Sequence, residues 1–442
     1  MIYRLFHVLV QNRTQIPYLL AGPPSSRNDP AMADGGFRER TLGAVLQRAA
    51  GSFPALVVTG PRQSGKTTLV RRLFPSHAYC SLDDPAIVEQ ARRDPTLLFT
   101  RFPPPVVLDE IQYAPELLHA VKRGIDAHRS DRGRYVITGS QLFPLMQGVT
   151  ESLAGRAAIT TLFSLSLREA AGYPDATRSW QETLAAEGLS EPHAVLLERL
   201  LRGGYPEPAL RADVDTQLWH ASYVQTSLER DVRTLRAVGD LADFRRFLFA
   251  LAARTAGLVN FEDLGRDLGL TGKTVKAWVS VLEASGQILT LKPYHENLGK
   301  RLVKRPKLYV LDTGTLAFLL GLDRPEQLLV GASAGPFFEA AVLGQLHRML
   351  VHRGLPSRLS FWRTASGHEV DFVIEDGGTL VPIEAKLTAS PSARDAAAIE
   401  EFQRLFGRRA GKGFLVCLCR ERFPLTRGVD AVPIAGGAQS IE

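Results

Sequence analysis

The chain has 442 residues, 45% of them hydrophobic and 22% charged, and a net charge of +7. That length exceeds one ordinary core, so roughly two to four domains are expected. No apolar run approaches the roughly 18–20 residues that cross a bilayer, which excludes a spanning helix. The positive charge suits a polyanionic partner but equally suits ordinary solubility.

Residues 1–36 read as a disordered or mis-assigned extension. The apolar run from Ile2 to Val10 is broken by Tyr3, Arg4 and His7, and lacks the continuous core and cleavage site of a secretory signal. Gly22-Pro23-Pro24-Ser25-Ser26 follows, and Met32 offers a more conventional start, so residues 1–31 are set apart as a translational extension. The three cysteines, Cys80, Cys417 and Cys419, form no zinc pattern and read as reduced thiols of a cytoplasmic protein.

A first domain is expected over 37–200. Ala55 to Thr59 is short, apolar and β-branched, as a buried parallel strand is. It runs into Gly60-Pro61-Arg62-Gln63-Ser64-Gly65-Lys66-Thr67-Thr68 and then a helical pattern. This is the P-loop spacing in its strand-loop-helix context. Gly60 and Gly65 let backbone N–H groups curl around phosphates, and the helix N-terminus adds its dipole. Lys66 is placed to reach the β- and γ-phosphates of ATP, and Thr67 to offer a hydroxyl to Mg²⁺. A second apolar strand, Val106-Val107-Leu108, ends in Asp109-Glu110. Asp109 is expected in the Mg²⁺ shell, and Glu110 is expected to polarise the attacking water. A third strand, Arg134 to Thr138, ends in Gly139-Ser140-Gln141, where Ser140 or Gln141 is either a γ-phosphate sensor or part of a plain turn. Arg156, just before the strand-like run Ala157 to Leu165, reads as an arginine finger acting in trans or as a surface salt-bridge residue. The finger reading implies a homo-oligomer, of which a ring is one form.

These motifs, with Leu153-Ala154-Gly155-Arg156, resemble those of a prokaryotic AAA-type ATPase family that carries an uncharacterised C-terminal region. The resemblance runs from about residue 40 to 425. Gly203-Gly204-Tyr205-Pro206-Glu207-Pro208 and Glu229-Arg230-Asp231-Val232 are similar to further signatures of that family, without a chemical reason visible in the residues, and Leu308 to Gly314 reads as a buried strand and turn that the family also carries.

Residues 201–325 read as a helical connector and a winged helix-turn-helix. Phe244, Phe247, Leu248 and Leu251 mark one buried helix face. Asn260 and Thr271 are placed to cap two further helices, and Gln287 to Leu291 reads as a strand. Lys273, Thr274 and Lys276 then face a DNA groove, or the unit serves to pack domains together. Lys300-Arg301-Leu302-Val303-Lys304-Arg305-Pro306-Lys307, five basic residues in eight, reads as a phosphate-contacting strip or a lysine-guarded strand edge.

Residues 326–425 read as an α-β-β-β-α-β unit followed by a tail over 426–442. Pro336 opens a helix with Glu339 in its first turn; strands hold Leu359 to Arg363, Glu369 to Ile374 and Leu380 to Lys386. Glu384 and Lys386, two apart, share a strand face. If Asp371 lies on the adjoining strand, two acids and an ammonium converge. The spacing resembles the PD-(D/E)XK, restriction-endonuclease-like superfamily. That resemblance implies a metal site of Asp371 and Glu384 with Glu339 as the additional helix acid, and Lys386 steadying the attacking water. The alternatives are a charged edge of an ordinary α/β domain or an inactive member of that fold.

The function expected is therefore an ATP- and Mg²⁺-dependent AAA-type ATPase acting on or near DNA, with a nuclease-like C-terminal half. The competing readings are an ATP-controlled switch or assembly protein whose C-terminal half binds partners without cleaving DNA, and a catalytically silent nucleic acid binder.

Overall fold

Five short apolar runs pair side by side into a parallel sheet: β1 (Ala55–Thr59), β2 (Ala78–Ser81), β3 (Val106–Asp109), β4 (Tyr135–Thr138) and β5 (Ala157–Thr161), in the order β2-β3-β4-β1-β5. The three central strands β3, β4 and β1 are buried along their whole length, whereas edge strand β5 is only partly covered. Such two-sided burial explains why these strands read as continuous apolar runs rather than alternating ones. The helices Thr41–Ala50, Lys66–Leu73, Pro85–Arg93, Pro95–Arg101 and Leu117–Ala127 connect or flank the strands. Asp84 and Asp94 cap two of them, each followed by proline at the first helical position. This strand order brings the C-terminal ends of β1, β3 and β4 together, where open α/β sheets place their ligands.

The structure is a computed structural model and describes residues 36–139, 152–175, 177–186, 191–228, 241–294, 305–364 and 367–434. The N-terminal extension, Ser140, Gln141, Glu229 to Val232 and Lys300 to Lys304 therefore lie outside the described residues. Glu39–Glu442 make up one compact unit. Among the described residues no helix is long and apolar enough to cross a membrane. Cys80, Cys417 and Cys419 are free and buried.

The middle of the chain follows the expected periodicities. Phe244 and Phe247 of the helix Leu241–Ala252 meet Trp278 of the helix Gly272–Ala284 edge-on. Asn260 caps Phe261–Leu268 through the Glu262 N–H, and Thr271 caps the next helix through the Thr274 N–H. Strands β6 (Gly257–Leu258), β7 (Ile288–Leu291) and β8 (Lys307–Val310) form an antiparallel sheet in the order β6-β8-β7. The element order is helix, strand, helix, helix, strand, strand.

The C-terminal sheet holds β9 (Leu359–Arg363), β10 (Glu369–Asp376), β11 (Thr379–Ala385), β12 (Gly413–Cys417), β13 (Phe423–Pro424) and β14 (Val429–Pro433), ordered β13-β14-β12-β11-β10-β9. β9, β10 and β11 are antiparallel, and β11, β12 and β14 run parallel. Phe372, Ile374 and Ile383 pack with Phe337 and Phe338 of the helix Ala334–Val351, whereas Val370, Val373 and Trp362 pack with Phe402. Two expectations need correction. The helix starts at Ala334, so Glu339 stands in its second turn rather than its first. Residues beyond 425 are not merely a tail, because Val429–Pro433 adds a parallel strand beside β12.

Two buried clasps join these parts. Arg40 donates to the Ser64 carbonyl at 2.9 Å and the Phe163 carbonyl at 2.7 Å, and its Nε lies 3.3 Å from Glu169 Oε2. The other Glu169 oxygen accepts the Thr41 N–H at 2.8 Å and lies 3.3 Å from His352 Nδ1. The second ring nitrogen, His352 Nε2, accepts the Phe163 N–H at 3.1 Å. Burial alone would raise the Glu169 carboxyl, but Arg40 and His352 outweigh it and hold it well below the usual carboxylate range. In the second clasp, Asp312 accepts the Gly204 N–H at 2.9 Å, the Ser164 hydroxyl at 3.1 Å and the Thr315 N–H at 3.0 Å. A Cβ on Gly203 would lie 2.6 Å from Asp312 Oδ1, and one on Gly204 would lie 2.4 Å from the Leu165 carbonyl. That close approach is the physical reason for the paired glycines of Gly203-Gly204-Tyr205-Pro206.

Removing one partner of a buried ion pair leaves the other charge uncompensated, at a cost of about 3–5 kcal/mol. Glu169→Gln, which keeps the shape and strands the Arg40 charge, is expected to lose stability of that order in urea unfolding. A loss below about 1 kcal/mol, the scale of an exposed pair, would show that Arg40 is neutralised elsewhere.

Candidate functional site

The loop between β1 and the helix Lys66–Leu73 takes three residues into the left-handed region, with φ of 139° at Gly60, 59° at Gln63 and 94° at Gly65. A Cβ on Gly60 would lie 2.1 Å from the Leu162 carbonyl, so only glycine fits against β5's exit. Arg40 fastens the Ser64 carbonyl from below, and Tyr223 donates to the Arg62 carbonyl at 3.5 Å. Lys66 is buried, and its ammonium donates to the carbonyls of Gly60 at 3.1 Å and Pro61 at 2.8 Å. The loop thus carries its charge over its own backbone turn. The Ser64 hydroxyl is buried without a hydrogen-bond partner. Thr68, the next residue after Thr67, is exposed.

Asp109, at the end of β3, is the hub of the site. Its carboxylate accepts the Thr67 hydroxyl at 3.0 and 2.9 Å and the Tyr79 hydroxyl at 2.6 Å, and also accepts the Thr138 hydroxyl. Burial first, and then the Asp109 carboxylate, push the Tyr79 phenol upward, so Tyr79 stays a proton donor. Glu110 adopts a left-handed backbone at φ 59°, unusual outside glycine and frequent at functional turns. Its N–H donates to Thr138 Oγ1 at 3.2 Å, and its carboxylate accepts from Gln112. The expected Lys66, Thr67, Asp109 and Glu110 therefore share one site.

Tyr79 and Thr138 belong to this site, although the sequence gives neither of them a role. Thr138 had a legible signal, being the polar residue that ends β4, two positions before the expected Ser140. Tyr79 had none, since its role depends on β2 lying beside β3. Arg156 is engaged within its own chain. Its Nε donates to Asp126 Oδ1 at 2.9 Å, and a terminal nitrogen lies 3.3 Å from Asp126 Oδ2. Of its two expected readings, the salt bridge is the one this arrangement displays.

The C-terminal acids converge differently from the expectation. Lys307, read as part of a phosphate-contacting strip, is buried instead. Its ammonium lies 2.8 Å from Glu339 Oε1 and 3.5 Å from Asp371 Oδ1, and also pairs with Glu369. Tyr309 donates to Glu339 Oε1 at 2.6 Å. Asp371 Oδ2 accepts the Ala385 N–H at 3.0 Å, while Glu384 accepts the Asp371 N–H at 3.4 Å and pairs with Lys386 at 2.9 Å. Glu339, Asp371, Glu384 and Lys386 do come together. In this arrangement Lys307, Tyr309 and backbone donors occupy oxygens of these acids. Among the described residues no three ligand-type side chains are placed to hold a metal ion.

Residues 52–171 match the family model of an AAA domain. Residues 194–326 and 334–436 match two domains of unknown function, DUF8612 and DUF4143. Uncharacterized protein Rv2008c of Mycobacterium tuberculosis and Uncharacterized protein Mb2031c of Mycobacterium bovis are each 32% identical over 399 residues, covering 90% of this chain and 84% of the relative. Among solved structures, the Walker-type ATPase PABY2304 of Pyrococcus abyssi is similar at 15% identity, over 64% of this chain and 96% of that chain, with a TM-score of 0.39. A signal transduction ATPase with a tetratricopeptide repeat sensor from Pyrococcus horikoshii is similar at 12% identity, over 72% of this chain and 47% of that chain, with a TM-score of 0.25. The chain belongs to the same family as the two mycobacterial proteins, and its first domain is an AAA-type P-loop ATPase domain.

Proposed function

We propose that the chain hydrolyses ATP with Mg²⁺ and uses the nucleotide cycle to switch a DNA-binding C-terminal half. The observation that carries the ATPase part is Thr67 meeting Asp109 at 2.9 Å beside a buried Lys66. The residues present fit the ligand: a loop of left-handed turns, a buried ammonium above it and an unpartnered Ser64 hydroxyl. Bound ATP–Mg²⁺ supplies the phosphoanhydride and the cation that neutralises its charge. Lys66 then holds phosphate charge, Thr67 and Asp109 hold the metal shell, Tyr79 and Thr138 fix the Asp109 carboxylate, and Glu110 orients water. Arg156 acts in trans only after releasing Asp126, which makes the finger and the homo-oligomer it implies conditional on that exchange.

The DNA part is supported by the helix Gly272–Ala284, which keeps Lys273 and Lys276 exposed near its capped N-terminus, in the element order of a winged helix. Arg305, within the basic stretch that leads into β8, is exposed. The placement of Lys307 among the acids favours the reading in which the C-terminal half, though similar in element order to a restriction-endonuclease-like fold, binds without cutting. We therefore derive no hydrolytic step through Asp371, Glu384 or Lys386.

ATPase rates measured with linear, single-stranded and branched DNA are expected to rise several-fold with at least one of them. Lys66→Ala should lower the rate about 10²–10³-fold, the scale of losing one preorganised charge donor. A wild-type rate indifferent to every DNA would leave the ATPase but remove DNA from its function. If Lys273 and Lys276 each neutralise a phosphate, the double alanine variant flattens the plot of log affinity against log salt by about 1.8. An unchanged slope would place DNA elsewhere.

The acid cluster also sets a pH dependence. Burial and the neighbouring Asp371 push Glu384 up to about 8 and Glu339 up to about 7. Both exceed the unfolded carboxyl value of about 4.3, so the folded chain binds more protons than the unfolded chain across that interval. The stability from these protonated acids is complete below about pH 4.3 and is lost as pH rises through 7 and 8. Thermal denaturation should therefore show the wild-type Tm dropping relative to Glu384→Gln between about pH 5 and 8. A constant difference between the two would mean that Glu384 is ionised throughout.

A further inference from the structure

Lys307 opens β8, in a different sheet from the acids it meets. Glu339 comes from the helix Ala334–Val351, and Glu369 and Asp371 come from β10. Only 4% of the lysine is exposed. An ammonium has three donors and no acceptor, and three carboxylates face this one. A buried ammonium is tolerated only when paired in this way, and the carboxylates crowded around it gain a counter-ion. Divalent metals of the oxygen-seeking type need the same carboxylate oxygens that Lys307 occupies. Ammonium and metal therefore compete for one position.

We propose that Lys307 is the resident cation of this acidic cluster, and that its ammonium keeps divalent metal out of the C-terminal half while β8 stays in place. The inference rests on the reading of Glu339, Asp371 and Glu384 as potential ligands, and it holds whether or not the chain acts on DNA. β8 is fixed at both ends. Lys307 and Tyr309 hold Glu339 at one end. At the other, Asp312 takes the Gly204 N–H and the Ser164 hydroxyl of the segments leading away from the P-loop sheet. The lysine is thus carried on a strand whose far end is anchored near the nucleotide site, whereas the acids are carried on the C-terminal sheet and its helix.

The test counts Mn²⁺ bound to the full chain by electron paramagnetic resonance, in a Thr67→Ala, Asp109→Asn background that silences the nucleotide site. The Lys307 chain is expected to show no Mn²⁺ binding that depends on Asp371. Lys307→Met is expected to gain a site at least about tenfold tighter than any in the parent, and Asp371→Asn should abolish that gain. A folded Lys307→Met chain without the gain overturns the proposal. If Lys307→Met does not fold, the parent still decides. Mn²⁺ binding that Asp371→Asn removes with Lys307 in place contradicts the exclusion, and binding indifferent to Asp371→Asn upholds it. DNA-stimulated ATPase rates do not enter this readout, so failure here and failure of the DNA reading are told apart.

Discussion

A phosphate-binding turn is a strained piece of backbone, and here its shape depends on a charge buried beneath it. Arg40 grips the Ser64 carbonyl from below while its guanidinium is neutralised by Glu169, which is itself shared with His352 at the end of a C-terminal helix. None of these three groups sees solvent to any extent, so none can swing away without leaving a partner unpaired. The consequence reaches across the chain. The nucleotide loop, the exit of β5 at Phe163 and the helix Ala334–Val351 are held by one hydrogen-bonded unit rather than by separate surfaces. Asp312 repeats the arrangement, receiving donors from Gly204 and Ser164 at the start of the segment that follows β8.

The nucleotide site was legible because its residues are local. Strand, glycine loop and helix occupy consecutive positions, and an acidic pair ending an apolar strand is readable without knowing what lies beside it. Thr138 is half legible, as the polar end of β4 two residues before the expected Ser140. Tyr79, Arg40 and Glu169 were not, because each acts through a partner far along the chain. Their roles follow from strand order and domain docking, which spacing alone does not encode. The glycine pair at 203–204 shows the same limit: its signature stood out, but its cause is a contact with Asp312 more than a hundred positions away.

In the C-terminal half the periodicities locate the elements up to β12 in chain order, and strand alternation puts Glu384 and Lys386 on one face, whereas Asp371 joins them through the pairing of β10 with β11. The charge balance is not legible in this way. Lys307 sat in a basic stretch, where the bland expectation is a solvated or phosphate-facing side chain. On β8 it instead lies buried against Glu339 and Asp371. A sequence pattern can bring ligands together. Whether a metal or a lysine neutralises them is decided by a residue from another module.

Calorimetric titration of ATP–Mg²⁺ into the wild-type chain and into Lys66→Ala addresses the nucleotide site most directly. The expected result is saturable binding to the wild type that is at least about tenfold weaker in Lys66→Ala, the least that loss of a charge-assisted phosphate contact should cost. Equal affinity in the two chains, or no binding to either, would contradict the assignment of the turn after β1 as the phosphate cradle.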